Sequence, residues 1–245
     1  MRPGPANDWL NGILLVDKPA GPTSHDVVDR VRRRFRLRKV GHGDTLDPQA
    51  TGLLILLIGK ATRLSARFLS SDKTYEGTVL FGVTTDSHDR EGQVLTEADA
   101  SGLTRESTEQ AMARFRGDLF QAPPMVSAVK KDGVPLYKLA RKGQEVEREP
   151  RLIHLYEFRL TSFEPPRAAF VVRCTKGTYV RTLCHDLGQA LGCGACLDCL
   201  RRTQCGEHRV EEALPLDRLL ELELEELDRR LIPLQDSVRH GPVAP

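Results

Sequence analysis

The chain has 245 residues, 40% apolar and 29% charged, with a formal net charge of +2, the composition of an ordinary globular protein. It is long enough to bury roughly three quarters of its unfolded-chain surface, so folding requires no disulfides or metals, and it fits one large domain or one domain plus an appendage. No apolar run reaches 18 residues and the first ten residues carry no apolar core, which argues against a membrane span or a secretory signal; the six cysteines then read as reduced cytosolic thiols.

In chain order, Gly12 to Val16 is an apolar run stopped by Pro19, Gly21 and Pro22, a strand followed by a turn. Thr23 or Ser24 caps a helix with Val27, Val28, Val31 and Phe35 on one face and arginine on the other. Arg30 to Lys39 holds seven basic residues, which suits contact with phosphate and equally a solvated helix face. "KVGHGDTLDPQATGLL" (Lys39 to Leu54) is turn-rich and runs into Leu53–Ile58, a continuous apolar run expected to be a strand buried on both faces. Asp44 and Asp47 lie three residues apart there. Proline at position 48 biases Asp47 toward an extended or turn conformation, so its carboxylate is a candidate nucleophile or base. The plainer reading is that Asp44, Thr45 and Asp47 cap a turn.

Further on, "KATRLSARFL" reads as a helix. "TYEGTVLFGV" reads as a strand with Tyr75, Gly77, Val79, Phe81 and Val83 on one face, and "STEQAMARFRG" as a helix ending at Gly117. Residues 121–142 form a long basic surface loop with a short helix. "RLIHLYEFRLTSF" and "RAAFVVRCT" read as strands joined at Pro165–Pro166, "TYVRTLCHDLGQAL" as a helix, and Glu211 to Asp228, with eight acids and one arginine, as one more. Without a steady βαβ alternation the fold class is α+β with a largely antiparallel sheet.

"CGACLDCLRRTQC" clusters Cys193, Cys196, Cys199 and Cys205, a spacing that invites zinc or an iron–sulfur cluster. On one short helix, thiols at i, i+3 and i+6 cannot surround an ion without a bend, so the expectation is inert buried thiols.

Six stretches occur in order: "GILLVDKPAGPTSHDVV", "KVGHGDTLDPQATGLL", "SDKTYEG", "QAPPMVSAVKKDGVPLYKLARKG", "CTKGTYVRTLCHDLG" and "LRRTQCG". Together, over residues 11 to 206, they resemble the TruB family of bacterial tRNA pseudouridine synthases. The resemblance implies a mixed, mostly antiparallel sheet with flanking helices that converts a uridine of the tRNA T-loop (position 55 in tRNA numbering) to pseudouridine. It implies no cofactor and no metal, a cytoplasmic monomer acting on the tRNA T-arm, and neither DNA nor membrane as partner. It assigns the catalytic aspartate to Asp47, not Asp44. His42 and Lys18 match motif residues at the substrate, Tyr75 stacks on the target base or acts as a base, Tyr179 and Arg181 match K-G-T-Y-[IV]-R with Arg181 pairing the catalytic carboxylate, and Leu200 lines the pocket. Residues 121–142 match an RNA-gripping insertion.

Residues 10–210 would be the catalytic domain and 211–245 an acidic helix and tail, with the family's terminal PUA-like domain lacking or vestigial and the grip on tRNA correspondingly weaker. Asp44 stands where the family usually has glycine. Glycine there often supplies positive φ, which aspartate tolerates, and a second acid so close would oppose the charge on Asp47. The competing readings are a tRNA-binding or folding-assist protein with impaired catalysis, and a metal-binding protein built on the cysteine cluster.

Overall fold

The computed structural model describes residues 7–127 and 129–234. Its strands and helices, in order, are β1 (Gly12–Lys18), α1 (Ser24–Arg34), β2 (Val40–His42), β3 (Thr51–Ile58), α2 (Ser65–Ser70), β4 (Lys73–Phe81), β5 (Val83–Thr85), β6 (Val94–Glu97), α3 (Arg105–Ala113), β7 (Gly117–Gln121), β8 (Lys130–Lys131), β9 (Val134–Pro135), α4 (Leu136–Ala140), β10 (Arg151–Glu164), β11 (Arg167–Cys174), α5 (Val180–Ala190), β12 (Ala195–Cys205), β13 (His208–Arg209), β14 (Leu214–Pro215), α6 (Leu216–Glu221) and α7 (Leu224–Arg230). The chain divides into two compact units, one running to Lys73 and resuming at Arg201, the other spanning Thr74–Leu200, so the boundary falls inside β12.

In the first unit β3 is central. It runs antiparallel to β1, from Gly12↔Ile58 to Lys18↔Gly52, and to the short β2, while the far half of β12 joins it in parallel through Arg201↔Thr51 and Arg202↔Gly52. Leu53–Ile58 is buried throughout, as expected of a strand covered on both faces. One of those faces packs with Ile13, Leu15, Phe68, Cys205 and Val210. α1 starts at a capping box: Thr23 Oγ1 accepts the Asp26 N–H at 3.0 Å and the Asp26 carboxylate accepts the Thr23 N–H at 2.9 Å. It buries Val27, Val28 and Val31.

In the second unit β7, β10 and β11 are antiparallel neighbours, with β4 between β11 and the near half of β12. α3 and α5 each bury one face, Thr108, Ala111 and Met112 on α3 and Val180, Leu183 and Leu187 among those on α5. The fold is therefore α+β with a mostly antiparallel sheet.

Several expectations need correction. The cysteine-rich stretch is the strand β12, not a helix. Thiols three apart on a strand point to opposite faces, and Cys196 is buried while Cys199 is exposed. Among the described residues no three His, Cys, Asp or Glu side chains are placed to hold a metal. The acidic segment forms two short helices, because Glu223 starts α7 with its own capping box and Arg34 donates to the carbonyls of Leu220 (2.8 Å) and Leu222 (2.7 Å) at the end of α6. Residues 235–245 of that expected tail lie outside the described residues. α3 ends at Ala113, and Gly117, at φ +92°, opens β7 instead. "KATRLSARFL" splits into a 3-10 turn, Gly59–Leu64, and α2. The basic run is helical only to Arg34, and Arg36 is left-handed at φ +50°. Four of its seven cations have acidic partners: Arg32 and Arg33 with Asp29, Arg34 with Glu223 and Arg38 with Asp8. No helix among the described residues is long and apolar enough to cross a membrane.

Candidate active site

The turn between β2 and β3 is pinned by backbone and side-chain contacts within the first unit. The Gly43 N–H donates to the Ile55 carbonyl at 2.9 Å. A side chain on Gly43 would overlap Phe68, its Cβ falling 2.6 Å from the Phe68 Cβ. Ser24, at the start of α1, donates its hydroxyl to the Leu46 carbonyl (3.1 Å) and accepts the Leu46 N–H (2.9 Å). The Leu46 side chain is buried. The Pro48 carbonyl accepts both the Gly21 N–H (2.9 Å) and the Lys18 ammonium (2.8 Å).

Lys18 is the deepest of these braces. Its side chain is 0% exposed, and its ammonium donates to the carbonyls of Pro19 (2.8 Å), Pro22 (2.9 Å) and Pro48 (2.8 Å). Three donors meet three acceptors, which is the capacity of an ammonium. Burial lowers its pKa to about 8, and the negative charge of Asp47 pulls in the opposite direction. Asp47 itself is exposed.

Asp44 is bound differently. Its Oδ2 lies 3.0 Å from Arg202 Nη1 and 3.3 Å from Lys73 Nζ. Arg202 also donates Nε–H to the Leu53 carbonyl at 2.8 Å, and Lys73 to the carbonyls of Phe68 and Leu69. Both cations are buried. Among the described residues the non-glycine positions with positive φ are Arg36, His88 and Asp132, and Asp44 is not one of them. Backbone freedom is therefore not what position 44 requires here. The repulsion expected between Asp44 and Asp47 is offset by two cations. His42, on β2, has a buried Nδ1 without a hydrogen-bond partner, and burial lowers its pKa.

Tyr75, Tyr179, Arg181 and Leu200 belong to the second unit. Tyr75 is buried on the inward face of β4. Tyr179 precedes α5, where Gln121 holds its backbone at both ends: Oε1 accepts the Tyr179 N–H (2.8 Å) and Nε2 donates to its carbonyl (3.1 Å). The Arg181 guanidinium is buried, donates to the carbonyls of Ser87 and Val126 at 2.9 Å each, and has Nε 3.6 Å from Asp89. Leu200 is half-buried at the end of this unit. Sequence reading missed Asp89, Gln121, Lys73 and Arg202. The available signal for the last two was their place in the motif stretches "SDKTYEG" and "LRRTQCG".

The profile of the TruB family pseudouridylate synthase N-terminal domain matches residues 32–180, and that of the tRNA pseudouridylate synthase B C-terminal domain matches residues 181–239. A protein named tRNA pseudouridine synthase B from Opitutus terrae is 56% identical over 228 residues, 93% of this chain and 95% of that one. The chain belongs to the TruB family.

Another tRNA pseudouridine synthase B, from Pseudomonas aeruginosa, is 48% identical, with 96% of this chain aligned to 78% of that one. Among solved structures, a chain of a Cbf5-Nop10-Gar1 complex is 30% identical with a TM-score of 0.73. The match takes in 93% of this TruB-family chain but only 61% of that one. A chain of an H/ACA RNP bound to a substrate RNA containing 2′-deoxyuridine is 26% identical with a TM-score of 0.69, over 93% and 60% of the two chains.

Beside Arg181, this TruB-family chain carries a pair of stacked imidazoles. His88 and His185 lie with ring centroids 3.9 Å apart and planes 5° from parallel, and both Nδ1 atoms are buried without a partner. Burial, followed by His185, Arg181 and Arg148, lowers the His88 pKa to about 4. Between about pH 6.5 and 4 the unfolded chain therefore binds a proton at His88 that the folded chain does not. Folding stability falls as the pH drops through that window. Urea midpoints at pH 7.5 and 5.0 test this: His88→Gln should lose less stability than the parent chain between the two pH values, and equal losses would refute the assignment.

Proposed function

We propose that this chain isomerises a uridine of the tRNA T-loop, position 55, to pseudouridine, with Asp47 as nucleophile. The observation that carries the reading is the 56% identity, over nearly the whole length of both chains, to a protein named tRNA pseudouridine synthase B. The residue chemistry agrees with it. The reaction breaks the C1′–N1 bond and forms a C1′–C5 bond; the C5 proton leaves to a base and N1 takes up a proton. A carboxylate serves this by attacking C1′, by removing a 2′ proton, or by adding to C6 of the ring. Each route needs an ionised acid at an accessible, fixed position, and Asp47 is exposed on a turn held by Lys18, Gly21 and Ser24.

Tyr75 offers the detached uracil a stacking surface, worth ~1–3 kcal/mol per base. A stacked base hides its sugar, so the target is flipped out, which costs least in a loop. His42, Tyr179, Arg181 and Leu200 complete the proposed substrate contacts, with Arg181 supplying the cation for the carboxylate. Lys18 contributes through the turn it braces. The cations of residues 121–142 and of the arginine run hold phosphates. No cofactor or metal takes part in this reading, and the working form is a cytoplasmic monomer.

The test is to incubate the chain with an unmodified tRNA transcript and map pseudouridine by carbodiimide-dependent reverse-transcription stops. A stop at the T-loop uridine supports the reading. Bound tRNA with no stop would leave a binding or folding-assist protein in its place.

A further inference from the structure

The structure gives Asp44 two buried cationic partners. Arg202 and Lys73 are buried, at 0% and 4% exposure. A buried guanidinium and a buried ammonium are stabilised by a counter-charge in contact with them, and removing one partner of a buried ion pair is costly. Asp44 supplies that charge through a single oxygen, Oδ2, shared between Arg202 Nη1 (3.0 Å) and Lys73 Nζ (3.3 Å). The two cations are themselves fixed, Arg202 to the Leu53 carbonyl on β3 and Lys73 to the carbonyls that end α2. Asp44 thus ties the turn to three elements at once: β12, β3 and the end of α2. Asp47 is three residues further along the same turn. Two cations against one carboxylate leave the triad a net charge of +1, which favours a negative charge nearby.

We propose that Asp44 is a positioning residue for the reaction, its carboxylate clamping the turn that presents Asp47 against the buried Arg202–Lys73 pair. The proposal rests on the reading of Asp47 as nucleophile. A turn held this way fixes the reacting oxygen, and a displacement of about 1 Å at a reacting group costs about 10²-fold in rate. Glycine at position 44 would remove this partner from both cations, so Asp44→Gly should slow this chain as well.

Two substitutions separate positioning from simple charge balance. Asp44→Asn keeps the shape and removes the charge. Asp44→Glu keeps the charge and pushes the turn outward by one methylene. Single-turnover rates at saturating enzyme and dissociation constants are measured on an unmodified T-arm stem-loop, with thermal unfolding of each variant. Positioning predicts that Asp44→Asn loses about 10²-fold in rate with its dissociation constant within about threefold of the parent. It predicts that Asp44→Glu melts near the parent temperature yet reacts about tenfold slower. A parental rate in Asp44→Glu would reduce Asp44 to a counter-ion and overturn the proposal, and that variant decides the matter even if Asp44→Asn does not fold. The parallel Asp47→Asn reaction keeps the two readings apart. If Asp47→Asn is active, the nucleophile assignment fails. If Asp47→Asn is dead and Asp44→Glu is at parental rate, only the positioning role fails.

Discussion

Asp47→Asn is expected to lower pseudouridine formation by at least about 10⁴-fold, with T-arm binding and thermal unfolding close to those of the parent chain. The size follows from removing a group that acts directly on the reacting atoms. The sparing of stability follows from where the side chain is. Asp47 is exposed, whereas the contacts that shape the turn are made by its neighbours: the Pro48 carbonyl to Lys18 and Gly21, the Leu46 backbone to Ser24, and Asp44 to Arg202 and Lys73. An amide is nearly isosteric with a carboxylate, so a folded and inactive protein is the expected product. Carbodiimide mapping after single-turnover incubation measures the rate. Retention of even a tenth of the parental rate would remove Asp47 from the role of nucleophile.

Gly52→Ala is expected to destabilise the chain by about 3 kcal/mol or more, a fall of about 6–12 °C in Tm for a chain of this length. Gly52 has φ +97° in the second position of β3, where it pairs in parallel with Arg202. A Cβ there would fall 2.3 Å from the Arg202 carbonyl oxygen and 2.9 Å from its nitrogen, both backbone atoms that no rotamer change can move. Relief requires β3 and β12 to separate where Arg202 enters the core. The loss should therefore extend to catalysis, because Arg202 holds Asp44. Differential scanning calorimetry of Gly52→Ala measures the first effect, and an unchanged Tm would contradict the close approach of the two strands.

Much of this was legible in the sequence where local rules decide. Thr23 before an apolar-periodic run gave the capped start of α1, the unbroken Leu53–Ile58 gave a strand buried on both faces, and the prolines at 165 and 166 marked the β10–β11 connection. The ordered motifs directed attention to the turn between β2 and β3. What escaped was decided over long sequence distances. "ACLDCLRRTQC" lacks a clear period, and the helix expected for it gives way to a strand because it pairs with β3 and β4. The partners of Asp44 lie 29 and 158 residues away along the chain, and Asp89 reaches Arg181 across 92. A local reading sees Asp44 only as a departure from glycine, and the ion triad becomes visible once β12 returns to β3.

The carbonyl cradle of Lys18 also has a chemical consequence. An amine with a pKa of about 8 would ordinarily be among the first in a protein to react with acylating reagents, because much of it is unprotonated in mildly alkaline buffer. In the folded chain no reagent reaches it: the nitrogen is enclosed and its protons are committed to three proline carbonyls. Lys18 should stay unlabelled while Lys39 and Lys60, exposed on the same unit, are modified, and it should become reactive once the Asp47–Pro48 turn opens. Mass-spectrometric footprinting of this one amine would then serve as an internal gauge of whether the Asp47–Pro48 turn is intact, with no RNA present.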